Sequence, residues 1–396
     1  MKRRIVFFTG TRAEYGLMRG ILTCLAKKEY VEAHILTSGT HLAAQYGATA
    51  DEIAKDGLAP SHTVDIGLED NSPTGICRSM GQALDGYGHI LAVLDPALLV
   101  VLGDRYESFC AVAAASVLRL PVAHLYGGET TQGAIDEALR HAMTKMSHLH
   151  FTACERYRRR VVQMGEDPAR VWCVGSTGVE NVHRLPVFTE AEVRGYLGIP
   201  SETPYVIATY HPVTLEEGNA AEETGMIADA LAAREGLYQI FTGANADAGG
   251  LAVNEYLRQR AENDPRLRFF LSLGTERYIN AIRYSSGVVG NSSSGIGEVP
   301  SLEIPVLDIG DRQKGRERSA GVLHCPAAPH AVRNALDTLF SPEFREIART
   351  AVNPLDKPGT SATIADIIAD YPLEGILKKK FNDIDSGIFC SALIGS

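Results

Sequence analysis

The chain has 396 residues, 45% of them hydrophobic and 22% charged, a balance that fits two or three folded domains and excludes a disordered polymer. Lysine and arginine total 38 against 48 aspartates and glutamates, and this net charge of −10 argues against sequence-independent binding to nucleic acid. No apolar run approaches the roughly 20 residues of a membrane-spanning helix. The seven cysteines are scattered with no C-x-x-C, so no membrane contact, disulfide framework or zinc knuckle is expected, and a reducing cytoplasm is the expected compartment.

The first element is a strand at residues 4–8. Its approach resembles a signal peptide, but the apolar run stops at Phe8 with Arg12 and Glu14 following, too short for an h-region of about 7–15 residues. Further strands are predicted at 33–37, 97–102, 121–125, 148–152 and 171–174, separated by segments of helical period. Between 178 and 203 the pattern breaks at Pro186, a charged helix from Thr189 to Leu197, Gly198-Ile199-Pro200 and Pro204. Strands then resume at 205–209, 237–242, 267–271, 286–289 and 304–309. A helix from Ser361 to Ala369 ends at Tyr371-Pro372, and Lys378 to Lys380 reads as a solvated face or a helix C-terminal bias. Strands of nearly continuous apolar character alternating with helices imply βαβ units and parallel sheets covered on both faces, an α/β fold.

The motifs exclude several chemistries. There is no G-x-G-x-x-G, no P-loop, no G-x-S-x-G elbow and no H-E-x-x-H. His148-x-His150 and the scattered acids make no metal-ligand spacing, so neither a metal nor a cofactor is expected. What recurs is a polar, glycine-rich cluster just after a strand, where ligands bind in open parallel sheets.

The first cluster runs from Thr9 to Gly16. It opens a helix whose N–H groups and dipole favour an anion, with Arg12 able to add a bidentate contact. Gly103-Asp104-Arg105 follows the run ALLVVL. Next come His124 to Glu129, and then a helix in which Asp136 and Arg140 share a face. Carboxylates gathered in this way can move protons, because burial and mutual repulsion lift at least one pKa toward neutrality. In the second half His211 follows a strand, as do Thr242 to Asp247, and Gly290 to Gly295 offers small residues and hydroxyls that converge on a pyrophosphate. Glu298 is suited to a ribose diol, and Arg312 to another anion contact.

Taken in order, TRAEY, GDRYE, GGETTQGAIDEALRHAMTK, GSTGVEN, YHPVT, NADAGG, GNSSSGIGEVPS and IGDRQKGR resemble the hydrolysing UDP-N-acetylglucosamine 2-epimerases of sialic-acid biosynthesis. The resemblance implies two Rossmann-like, doubly wound domains of the GT-B kind with the active site in the interdomain cleft. It implies an N-terminal domain (1–180) on the sugar side, a UDP-binding domain (181–365), and a tail (366–396) packing back on the first. It implies Asp104, Glu129, Asp136 and His211 as catalytic groups. Arg12, Ala13, Arg105, Arg140, Asn245, Ser292, Ser293, Ser294, Gly295, Glu298 and Arg312 are then substrate and UDP ligands. The implied reaction takes UDP-GlcNAc and water to ManNAc and UDP, by anti elimination of UDP to a 2-acetamidoglucal and syn hydration, in a homodimer or homotetramer. Alternatives are a hydrolysing epimerase of UDP-2,4-diacetamido-2,4,6-trideoxyglucose, a non-hydrolysing epimerase, a GT-B glycosyltransferase and a sugar-nucleotide sensor.

Overall fold

A computed structural model describes residues 2–42, 50–70, 72–130, 136–212, 220–244 and 250–383. The first strand, β1 (Arg3–Thr9), shows why the chain folds in layers. Ile5 and Phe7 enter one apolar core while Val6 and Phe8 enter another, so both faces of the strand are buried and helices must cover both. Six more strands join it: β2 (Val31–Thr37), β3 (Ser61–Thr63), β4 (Leu98–Leu102), β5 (Val122–Leu125), β6 (Leu149–Thr152) and β7 (Val171–Cys173). They pair in the order β3-β2-β1-β4-β5-β6-β7, all parallel.

The second sheet repeats the plan with β8 (Tyr205–Thr209), β9 (Tyr238–Thr242), β10 (Leu267–Phe270), β11 (Val288–Gly290), β12 (Val306–Ile309) and β13 (Val322–Cys325). Its order is β10-β9-β8-β11-β12-β13, again parallel. On β8, Val206 and Ala208 face the core holding Leu231 and Leu336, while Tyr205 and Ile207 face Val193 and Ile282. The α/β class with two Rossmann-like sheets, expected from the sequence, is what the chain forms. Each sheet reverses its winding once, between β1 and β4 and between β8 and β11, and such reversals open the crevices where ligands bind.

Two strands escaped the sequence pattern, β3 and β13. Both are edge strands with partly exposed residues, so burial does not demand an apolar run there. The chain divides into two compact units. One comprises the described parts of Met1–Glu129, Ile135–Thr177 and Lys357–Ser396, and the other the described parts of Thr130–Ala134 and Gly178–Asp356. The return to the first unit thus begins at Lys357, earlier than the expected 366. The helix Thr360–Asp370 lays Ile364, Ala365 and Ile368 into the core that holds Met18, Ile21 and Leu22, and its Thr360 hydroxyl donates to the Val174 carbonyl at 2.8 Å.

In the lysine run Lys378 and Lys380 are exposed as expected, and Lys379 departs from expectation. Lys379 is largely buried: its ammonium donates to the Lys145 carbonyl at 2.7 Å and the Ser147 carbonyl at 2.6 Å, and pairs with Glu166 at 2.6 Å. Glu166 is buried and also holds Lys145 at 2.6 Å and His150 at 2.9 Å. Burial opposes its charge, but the bonds from His150, Lys145 and Lys379 prevail and hold the carboxyl at about 2. A lysine that looks like surface in one dimension is a clamp on the last described segment of the chain.

Candidate active site

Charge collects where the first sheet reverses. Thr11 caps the helix Arg12–Leu25 in a reciprocal capping box with Glu14, whose carboxylate accepts from the Gly10 N–H at 2.6 Å and the Thr11 N–H at 3.2 Å. Two of the N–H donors expected to meet a phosphate are therefore engaged by the chain's own carboxylate, while Arg12 and Ala13 stand exposed. Burial pushes Glu14 up to about 7; Arg105 and the two N–H groups pull against that, and Glu107 adds to it.

Across the reversal, the turn after β4 presents Asp104 and Arg105. They do not pair with each other as the dipeptide suggests. Arg105 forks onto the fully buried Glu107, with distances of 2.8 and 3.2 Å. Asp104 pairs with Arg140 of the helix Asp136–Met146, and Arg140 also reaches Glu137 at 3.4 Å. Asp136, the first residue of that helix, has its pKa raised by burial, opposed by Arg105 and reinforced by Glu107. Arg105 therefore interacts with Glu14, Glu107 and Asp136 together. Glu129 lies half-buried four residues beyond β5.

His124 ties this edge together from beneath. Fully buried, it bonds the Gly103 carbonyl through Nε2 at 2.8 Å and the Thr144 hydroxyl through Nδ1 at 3.2 Å. Burial holds it at about 4, so the ring is neutral, and because a carbonyl only accepts, the proton sits on Nε2. The turn carrying Asp104 is thereby fixed to the helix carrying Arg140.

The reversal of the second sheet is furnished differently. His211 is buried two residues past β8; burial, then Arg312, hold it at about 4, neutral at pH 7. The Asn291 side chain, just past β11, accepts from the His211 N–H at 2.7 Å and donates to the His211 carbonyl at 2.8 Å. Ser292 caps the short helix Ser293–Ile296. Its hydroxyl lies 3.1 Å from that of Ser294, which meets the hydroxyl of the half-buried Tyr278 at 2.8 Å. Ser293 is exposed, Gly295 is buried and Glu298 is half-buried. Arg312 donates to the Asn291 carbonyl at 3.1 Å. The sequence-derived candidate Asn245 lies outside the described residues.

Four positions with structural claims on these edges were not singled out from sequence: Glu14, Glu107, His124 and Asn291. Each lies inside a motif that was recognised, and Glu14 carries the readable signal of a capping box, T-x-x-E. Among the described residues no three His, Cys, Asp or Glu side chains gather as a metal site, and no helix is long and apolar enough to cross a membrane.

Comparison with known proteins places this architecture. The family model described as UDP-N-acetylglucosamine 2-epimerase matches residues 23–369. The chain is 34% identical over 370 residues to polysialic acid biosynthesis protein P7 of Escherichia coli, covering 93% of this chain and 94% of that one. It is 32% identical over 385 residues to the GDP/UDP-N,N'-diacetylbacillosamine 2-epimerase (hydrolyzing) of Campylobacter jejuni, covering 97% and 100%. Its fold is similar to that of the Neisseria meningitidis UDP-GlcNAc 2-epimerase solved with UDP-GlcNAc, with a TM-score of 0.78 at 16% identity, covering 93% and 99%. With a family match over most of its length and two sheets that reverse beside the matching motifs, the chain belongs to the UDP-N-acetylglucosamine 2-epimerase family.

Proposed function

We propose that the chain is a hydrolysing UDP-N-acetylglucosamine 2-epimerase, taking UDP-GlcNAc and water to ManNAc and UDP. The observation that carries this reading is the carboxylate and guanidinium set at the first reversal: Asp104 on Arg140, Asp136 with a raised pKa, and Arg105 beside both Asp136 and Glu107. The C2 hydrogen of the sugar is not acidic, so cleavage of the anomeric C–O bond comes first and generates an oxocarbenium-like centre. UDP leaves with that bond, and C2 then loses its proton from the face anti to the departed UDP, leaving 2-acetamidoglucal. Syn addition of water, with the new C2 proton delivered on the same face as the water and opposite to the face the first proton left, yields ManNAc. Asp104, Glu129 and Asp136 share the roles of cation stabiliser, base and acid among them, and general acid–base assistance of this kind is worth about 10²–10⁴-fold in rate.

The second unit serves the leaving group. Arg312, neutral His211 and the hydroxyls of Ser292, Ser293 and Ser294 face the charge that grows on the pyrophosphate. Glu298 and Asn245 take the ribose and nucleotide side, and Arg12 and Ala13 complete the phosphate contacts. No cofactor enters this scheme. Assembly as a homodimer or homotetramer belongs to the same reading and is measured by light scattering.

A second substrate has a specific observation in its favour, the name of the Campylobacter jejuni relative. UDP-2,4-diacetamido-2,4,6-trideoxyglucose differs from UDP-GlcNAc only at C4 and C6, away from the bond that breaks. Incubation of each nucleotide sugar in D2O separates the possibilities. Free ManNAc deuterated at C2 together with UDP supports the proposal, and faster turnover of the diacetamido sugar assigns the second substrate. Formation of UDP-ManNAc overturns hydrolysis, and turnover only with an added acceptor indicates a transferase.

A further inference from the structure

At the carboxyl ends of the central strands of the second sheet lies an amide that behaves as a missing piece of backbone. The parallel ladder between β8 and β11 ends with Gly290 opposite Thr209, and the Asn291 N–H then donates to the Thr209 carbonyl at 3.1 Å. The strand pairing ends there. Here the Asn291 side chain turns across the gap and meets both backbone groups of His211 at once, the N–H at 2.7 Å and the carbonyl at 2.8 Å. A carboxamide carries an acceptor and a donor side by side in the geometry of a peptide group, so it can close such a pair, whereas an ionised carboxylate, which only accepts, cannot.

The same residue acts in a second direction. Its backbone carbonyl accepts from the Arg312 guanidinium at 3.1 Å and from the Gln313 amide at 2.9 Å, both just past β12. Loops from three adjacent strands therefore converge on one fully buried residue. The preceding glycine makes the approach possible. Gly290 has φ +135°, and a Cβ there would overlap the Thr209 carbonyl, so only glycine lets β11 pass this close before Asn291 turns inward.

We infer that the Asn291 side chain is a positioning group for the leaving-group side of the reaction, acting through His211 by fixing its backbone across the reversal. The inference rests on the proposed function, because His211 matters to it as a contact of the departing UDP. Asn291 itself acts through that histidine. Its side chain is committed to His211, which sets the way it can be tested: whatever Asn291 contributes by way of His211 must vanish once the His211 imidazole is gone.

The experiment is a double-mutant cycle read by calorimetric UDP affinity and by kcat/KM for UDP-GlcNAc in the full chain. Asn291→Ala deletes the clamp, Asn291→Asp keeps its volume but points an acceptor at the His211 carbonyl, and His211→Ala supplies the second axis. In the wild-type background each Asn291 variant lowers kcat/KM by about 10- to 100-fold, the range of one or two lost hydrogen bonds. In the His211→Ala background the further loss is no more than about 3-fold. Equal losses in both backgrounds overturn the inference and make Asn291 a general packing residue. So does an Asn291→Asp protein that folds to wild-type urea stability and keeps wild-type kcat/KM, a comparison that stands if Asn291→Ala does not fold. A wild-type chain that binds no UDP and turns over neither nucleotide sugar removes the proposed function, and this inference with it.

Discussion

The two sheets share a strand order yet furnish their reversals with opposite chemistry. At the first, ionisable groups crowd together: Glu14, Asp104, Arg105, Glu107, Asp136 and Arg140, two of the carboxyl groups shifted upward. At the second, the groups are mostly neutral: a buried histidine held near 4, an asparagine amide, a run of serine hydroxyls and a tyrosine, with Arg312 as the cation bonded to Asn291. On the proposed function, the difference follows from what each reversal would do. Proton transfer needs groups that change charge near pH 7, whereas a diphosphate carries its own charge and needs fixed donors. One fold, used twice, can therefore be split between acid–base work and anion binding.

Substitutions should divide along the same line. The largest effect is expected in the first unit: Glu129→Gln and Asp136→Asn lower kcat by about 10²–10⁴-fold, with calorimetric UDP affinity within about 3-fold of wild type. Wild-type turnover by either variant removes that residue from the chemistry. In the second unit, Arg312→Ala should reverse the pattern and weaken UDP binding by about 10- to 100-fold, the worth of a charged hydrogen bond. If the two variant classes lose UDP affinity equally, the division of labour fails.

Not every charge in the first unit belongs to that division. The Glu166 cluster with Lys145, His150 and Lys379 holds the last described segment of the chain. It sits on the opposite side of helix Asp136–Met146 in sequence, at the C-terminal end rather than at Asp136. Removing one cation from a buried carboxylate is costly, but two partners remain here. Lys379→Met is thus expected to lower stability by about 2 kcal/mol in urea unfolding. Unchanged stability would mean that Glu166 regains a partner from solvent.

Much of this was legible in the sequence, for reasons tied to burial. Central strands such as β1, β4 and β8 are covered on both faces and write themselves as apolar runs, whereas β3 and β13, at sheet edges, carry no such demand. Candidate site residues were visible because glycine-rich polar segments follow strands. Their partners were not: Asp104 with Arg140 lies 36 residues apart, and Lys379 with Glu166 lies far beyond any local period. Sequence-adjacent Asp104 and Arg105 look like a pair and are not, because a turn sends the two side chains to different partners.

The finest test compares two buried glutamates within the first unit. Glu14 is pushed from 4.5 up to about 7, so the folded chain holds its proton where the unfolded chain has lost it, and stability contributed by this group falls as pH rises from about 4.5 to 7. Glu166 is held near 2, so its contribution is present above about 4.5 and is lost as pH falls toward 2. The slopes have opposite signs. Glu14→Gln keeps the capping-box acceptor while removing the titration, and should flatten the decline between pH 4.5 and 7, a difference of up to about 3 kcal/mol. Urea unfolding at half-unit steps of pH measures it. A wild-type chain whose stability rises across that window while the Gln variant follows it would show Glu14 ionised at neutral pH.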